Sequence, residues 1–139
     1  MDQPITQRPD VDIEDDIHQL IRSYAPLQIS RGYFHIEVSN GNVVFRGNVR
    51  IPQARRVLLE NTLRIPGVKN VDISQLYDDE MVRFKVGEQI PPGVVATVQF
   101  GAVALTGKLP PGVSAEAITE AVSHTPGVRR VGVHFIEES

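Results

Sequence analysis

The chain has 139 residues, 41% of them apolar and 22% charged, with a net charge of −3, as expected for a globular protein of ordinary composition. The lack of cysteine excludes disulfides, thiolate nucleophiles and zinc-thiolate sites, and an aromatic content of 6% gives no broad surface for stacking nucleic-acid bases. No window reaches the roughly 18 apolar residues of a membrane span, and the opening residues Met1 to Arg8 have no apolar stretch of a signal peptide, so a cytoplasmic protein is expected, or a periplasmic one if an export signal was removed.

Taken in chain order, Asp10, Asp12, Glu14, Asp15 and Asp16 lead into Ile13, Ile17, Leu20, Ile21 and Tyr24. This spacing of three and four predicts a helix with acids at its positive N-terminal end and Pro26 as its stop. The segment Phe34-His35-Ile36-Glu37-Val38 alternates as a half-buried strand does. Asn40-Gly41 is a strong two-residue hairpin signal, and Val43, Phe45 and Arg46 continue into a second strand ending at Gly47. Pro52 suits the first turn of a helix that turns Ala54, Val57, Leu58 and Ile65 inward. Pro66-Gly67 stops it, and a strand follows through Val71 and Ile73. The first unit therefore reads α-β-β-α-β.

The second half repeats the first at a spacing of sixty residues. Gly41, Val43, Phe45 and Gly47 recur as Gly101, Val103, Leu105 and Gly107, and Pro66-Gly67-Val68-Lys69-Asn70-Val71 recurs as Pro126-Gly127-Val128-Arg129-Arg130-Val131. Ile36, Val38 and Ile73 are matched by Ala96, Val98 and Val133 without a gap. A fixed long period means two copies of one supersecondary unit. Ser114 is an N-cap for a helix facing Ala117, Ile118, Ala121 and Val122 inward, and Val131, Val133 and Phe135 form the last strand. Val82, Val86 and Ile90 fit a helix from about Asp79, although Met81 to Val86 also has strand character and Gly87 weakens the helix; the first copy favours the helix, and Pro91-Pro92-Gly93 breaks it. The expected organisation is α+β: residues 1–10 as a flexible segment, 11–77 and 78–139 as two tandem domains, each a small sheet covered by helices.

The recurring residues point to scaffold. Gly41 and Gly101 suit the hairpin turns, Gly67 and Gly127 a left-handed residue beyond the helix, and Gly47 and Gly107 a bulge or the close approach of the following helix. Constellations that carry chemistry are missing. His18, His35, His124 and His134 have no metal-ligand spacing, and the acids at 12–16 lack the glycine and terminal glutamate of a calcium loop. Gly101 to Leu109 has the wrong spacing for a phosphate loop, and no G-x-S-x-G occurs. No catalytic residue, cofactor or metal is expected.

The string from Ile36 to Gly47, followed by a helix and by Pro66-Gly67-Val68-Lys69-Asn70-Val71, resembles the BON domain (bacterial OsmY and nodulation), and Val98, Gly101, Val103, Leu105, Gly107, Gly127, Val128 and Val131 carry the same pattern in the second copy. The resemblance implies a non-enzymatic binding module that associates with phospholipid or other cell-envelope components, with a link to osmotic or envelope stress. No LysM-like segment accompanies it, so the potassium binding of a LysM-linked relative does not carry over.

Charge is unevenly laid out, with net −5 over residues 1–16, +5 over 17–76 and −3 over 77–139. Arg46, Arg50, Arg55 and Arg56 gather near the end of the first hairpin and the start of the next helix, with Lys108 the one counterpart in the second copy. They are the candidate contact to an anionic phospholipid surface; the plainer alternative pairs Arg56 with Glu60 and leaves the others solvated. The competing reading is a protein-interaction or assembly module, an oligomer or a binder of an envelope protein, acting through sheet edges and the groove between repeats. Nucleic acid is not an expected partner: a KH-like unit needs a G-x-x-G loop that this chain lacks.

Overall fold

A computed structural model describes residues 7–136. Helix α1 (Asp10–Ser23) and the single turn α2 (Ala25–Gln28) precede strands β1 (Phe34–Ser39) and β2 (Asn42–Val49), helix α3 (Pro52–Leu63) and strand β3 (Asn70–Asp78). The order then recurs as α4 (Asp79–Gly87), β4 (Val94–Gln99), β5 (Ala102–Gly107), α5 (Ala115–Ser123) and β6 (Arg130–Phe135). Each half is a three-stranded sheet with the hairpin's second strand in the centre. That strand is antiparallel to the first and parallel to the last, which a crossover helix brings back alongside it.

Ile13, Ile17 and Ile21 form the buried stripe of α1. They pack with Leu27, Phe34, Val43, Phe45, Val49, Ala54, Leu58 and Leu76 into the first core, where the Phe34 and Phe45 rings meet edge to face at 6.1 Å. The second core is smaller: Val82, Val86, Val94, Val103, Leu105, Ile118 and Val122, with Val94 and Leu105 in the places of the two phenylalanines. Val82 and Val86 are fully buried on α4, so the ambiguous segment after Asp79 is a helix, capped by Asp78, whose carboxylate accepts from Met81 N–H (2.9 Å).

Several expectations need correction. Of the segment 1–10 expected to be flexible, residues 1–6 lie outside the described residues, whereas Arg8 is held by Asp16 (2.7 Å) and by the carbonyl of Pro66 (3.0 Å). The chain breaks at Tyr24, which is extended, and Pro26 then lies inside α2. Ala117 and Ala121 are exposed because only Ile118 and Val122 of α5 reach the sheet. Gly47 and Gly107 are approached by the backbone entering the hairpin's first strand, at Tyr33 and Gly93, and not by the following helix.

The repeat also loses its register late. In β3 the partners step from Val44↔Asp72 to Arg46↔Gln75, one extra residue against β2, whereas β6 pairs with β5 without interruption. The bulge flips the parity of β3, so that Val71 and Ile73 face the core before it and Leu76 and Asp78 after it. Asp72 holds the bulge from within by accepting from Ser74 N–H (2.8 Å), and hydrogen bonds from Ser74 keep its carboxyl below the usual 3.8. Arg55 of α3 holds it from outside, donating to the carbonyls of Leu76 (2.7 Å) and Ile73 (3.0 Å). The second unit has Ala115 at the matching place and no bulge.

Candidate interaction surfaces

The four arginines do not form one free basic corner. Arg46 stands on the open face of β2, 3.8 Å from Glu37, and Arg55 is committed to the β3 bulge. Arg56 is exposed and, among the described residues, makes no ion pair, with Glu60 or any other acid. Arg50 reaches the second unit, donating to Asp79 (3.1 Å) and to the carbonyl of Val98 (3.3 Å).

Around Arg50 lies a joint between the two sheets, built from residues that no sequence motif links. Asp79, on the first turn of α4, accepts from the backbone N–H groups of Phe100 (2.8 Å) and Gly101 (3.1 Å) in the second hairpin turn. Asp10 does the same in the first unit, for Asn40 N–H (3.1 Å) and Gly41 N–H (3.3 Å). Each opening helix thus clamps its own hairpin with an aspartate, a more specific role than balancing the helix dipole. Only Asp79 also binds across the joint. Asn48 donates its side-chain amide to the carbonyl of Gly127 (2.8 Å), and a Cβ on Gly127 would come within 2.7 Å of Tyr77 and 2.8 Å of Val82, so glycine is needed for the approach.

Aromatic stacking completes the joint. The rings of Tyr33 and Phe100 lie parallel, 4.1 Å apart with an interplanar angle of 8°. Arg129 lies over the Tyr33 ring at 5.0 Å and also donates to the carbonyl of Phe100, and Arg50 lies 5.8 Å from the Phe100 ring centre. Each ring of the stacked pair thus has a guanidinium within cation–π range. Phe100 has φ of +50°, a left-handed conformation that costs a non-glycine residue about 1 kcal/mol or more, and the stack and the Asp79 clamp hold it there. Asn40, at the equivalent turn position with φ of +52°, belongs to a residue type that tolerates this geometry.

Beside the joint, α4 presents a cleft of about 530 Å³ lined by Pro52, Asp78, Glu80, Met81, Arg83, Phe84 and Lys85. Phe84 is 69% exposed, the highest value among the described large apolar residues. Met81 is 37% exposed beside it. Among the described residues no group of histidines and acids could hold a metal ion, and no helix is long and apolar enough to cross a membrane.

The BON domain family model matches residues 9–76, which is the first unit as folded, from the turn before α1 to the buried Leu76. The first unit is a BON domain. In the BON unit the matched glycines and apolar residues occupy hairpin turn and core, and the second unit's kinship to it rests on the sixty-residue repeat and the shared strand order. No protein of curated function matches the sequence. Among solved structures, the C-terminal domain of CdsD, the structural protein of the type III secretion system of Chlamydia trachomatis, is similar in fold, with a TM-score of 0.72 at 13% identity over 94% of this chain and 68% of that one. The periplasmic domain of the type III secretion inner-membrane protein PrgH from S. typhimurium aligns over 94% of this chain and 91% of that one at 16% identity, with a TM-score of 0.31.

Proposed function

We propose that this protein is a non-enzymatic assembly module of the bacterial cell envelope, in which two BON-like units locked by the Arg50–Asp79 joint present a fixed surface to another protein chain, copies of itself first. The observation that carries this reading is Phe84, 69% exposed on an apolar cleft beside the joint. A large aromatic ring left in water next to a rigid platform has the character of an interface anchor, since apolar patches rimmed by charge mark partner sites and aromatic residues dominate their energetics. The likeness in fold to a structural protein of a secretion system supports the same reading.

The phospholipid reading is the weaker one because Arg50 and Arg55 hold the chain's own elements, leaving Arg46 and Arg56 for headgroups at about 1 kcal/mol each near a membrane. A link to osmotic or envelope stress rests on the BON resemblance alone, and either a cytoplasmic or a periplasmic face of the envelope would suit an assembly role. Flotation with anionic vesicles at low salt, run beside sedimentation of the same sample, tests the choice. Association between copies with no protein carried up by vesicles is expected. A monomer at every concentration that floats with anionic vesicles would overturn the assembly reading.

A further inference from the structure

The first sheet has an edge free along its whole length beside a groove of unpaired cations, whereas the matching edge of the second is engaged at both ends. Because Asn40 and Gly41 make a two-residue turn, Ser39 and Asn42 pair across it and every second residue back from Ser39 faces β2. The bond from Asn48 N–H to the carbonyl of Tyr33 (2.8 Å) fits that alternation. The backbone N–H and C=O groups of Phe34, Ile36 and Val38 therefore point away from the sheet, and none has a partner among the described residues. The corresponding edge of β4 is engaged at each end, where Val94 N–H donates to Pro91 O (3.2 Å) and Val98 O accepts from Arg50.

Between that free edge and α1 runs a groove of about 360 Å³ lined by Glu14, His18, Ile21, Arg22, Arg31, Phe34, His35 and Ile36. Its floor is apolar, since Ile21 and Phe34 belong to the first core. Its rim carries two arginines, two histidines and one acid. The side chains of Arg22 and Arg31 are exposed and, among the described residues, have no hydrogen-bond or ion-pair partner. A helix flanking an unpaired strand edge offers ladder hydrogen bonds on one side and side-chain pockets on the other, the arrangement that recognises an extended peptide by strand addition. The surplus of positive charge selects carboxylates in that peptide.

We infer that the α1–β1 groove takes up an extended acidic segment of a partner protein, which adds as a further strand to β1 and sets its carboxylates against Arg22 and Arg31. This deepens the assembly reading by naming a class of partner segment, and it rests on that reading in taking a protein as the occupant. The surface used is separate from the Phe84 cleft, so the two can fail independently.

The test uses the whole chain, isotope-labelled, with a blocked alternating Glu-Val peptide as probe and a Lys-Val peptide and inorganic phosphate as controls. Shifts at the amides of Phe34, Ile36 and Val38, with slowed hydrogen exchange there on adding the Glu-Val peptide, are expected, together with at least about tenfold weaker binding in the double variant R22E/R31E. Both arginines are exposed, so that variant should melt as the wild type does, and the single variant R31E checks the charge effect should the double variant misfold. Equal binding of the Lys-Val peptide, an unchanged affinity in R22E/R31E or R31E, or a response to phosphate alone without protection of the β1 amides would each overturn the inference. Failure here with copies still associating through Phe84 leaves the assembly reading standing; peptide binding by a protein whose copies never associate would count against the Phe84 cleft and not against the groove.

Discussion

Asp79 ties the second hairpin to Arg50 of the first unit, and D79A is the perturbation that shows what this is worth. Its carboxylate accepts three hydrogen bonds, from Phe100 N–H (2.8 Å), Gly101 N–H (3.1 Å) and Arg50 (3.1 Å). The bond to Gly101 is buried, so truncation strands a donor away from water, at about 1–3 kcal/mol, and loses a second charge-assisted bond. The Arg50 side chain is 41% exposed, and solvent screening limits its share to about 1 kcal/mol or less. The total is about 2–4 kcal/mol, or near 10 °C in melting temperature for a chain of this size. D10A is the internal control: its longer bonds of 3.1 and 3.3 Å are exposed at Asn40 and part-buried at Gly41 and bring in no arginine, and about 1 kcal/mol is expected. Urea titrations of D79A, D10A and R50M, with the R50M/D79A double variant closing a cycle, give each quantity. D79A should also separate the unfolding of the two units, since the second core of small residues then loses its tie to the first. If D79A costs no more than D10A and still melts in one sharp transition, the joint is not what binds the units.

Four further outcomes follow from individual side chains. The Thr62 hydroxyl is buried without a hydrogen-bond partner among the described residues, and the second unit has Val122 at the matching place, so T62V should raise stability by about 1 kcal/mol in a denaturant titration. R55M should free the carbonyls of Ile73 and Leu76, speeding hydrogen exchange in β3 and lowering stability by about 1–3 kcal/mol, while β6 exchanges as before. The Asp72 carboxyl is held below 3.8 in the folded chain, so its contribution is present above that pH and is lost as pH falls through the lowered folded value; the deficit in melting temperature of D72A should therefore be seen at neutral pH and shrink in acid. L105A truncates the one fully buried leucine of the second core and should cost about 2–5 kcal/mol, measured by the same titration.

The repeat made the α-β-β-α-β order of both units legible because backbone requirements and core positions are what two copies of one fold must share. Gly41 with Gly101, and Val43 with Val103, occupy the same places in the two sheets. It hid the joint for the same reason. Tyr33, Asn48 and Arg50 stand where the second copy has Gly93, Lys108 and Pro110, and Phe100 and Arg129 where the first has Asn40 and Lys69. These residues meet only in three dimensions, between copies, so no spacing along the chain announces them. The available signal was the set of positions at which the copies differ in character. Asp79 escaped notice because nine extra residues in α1 and α2 displace it from the sixty-residue frame relative to Asp10. The β3 bulge was hidden too, since Ile73 and Val133 still align before it and the parity change shows only in Leu76 and Asp78. Arg50 and Arg55 looked like a surface cluster because proximity in sequence says nothing about which carbonyls a guanidinium will meet.

The central claim is that a rigid pair of BON-like units assembles with another chain through the α4 cleft, and sedimentation velocity of wild type and F84S over a concentration series tests it most directly. The side chain of Phe84 lies largely in water, so F84S should fold and melt as the wild type does. The sedimentation coefficient should rise with concentration for the wild type and stay at the monomer value for F84S. A wild type that remains monomeric throughout, or an F84S variant that associates as strongly as the wild type, would contradict it.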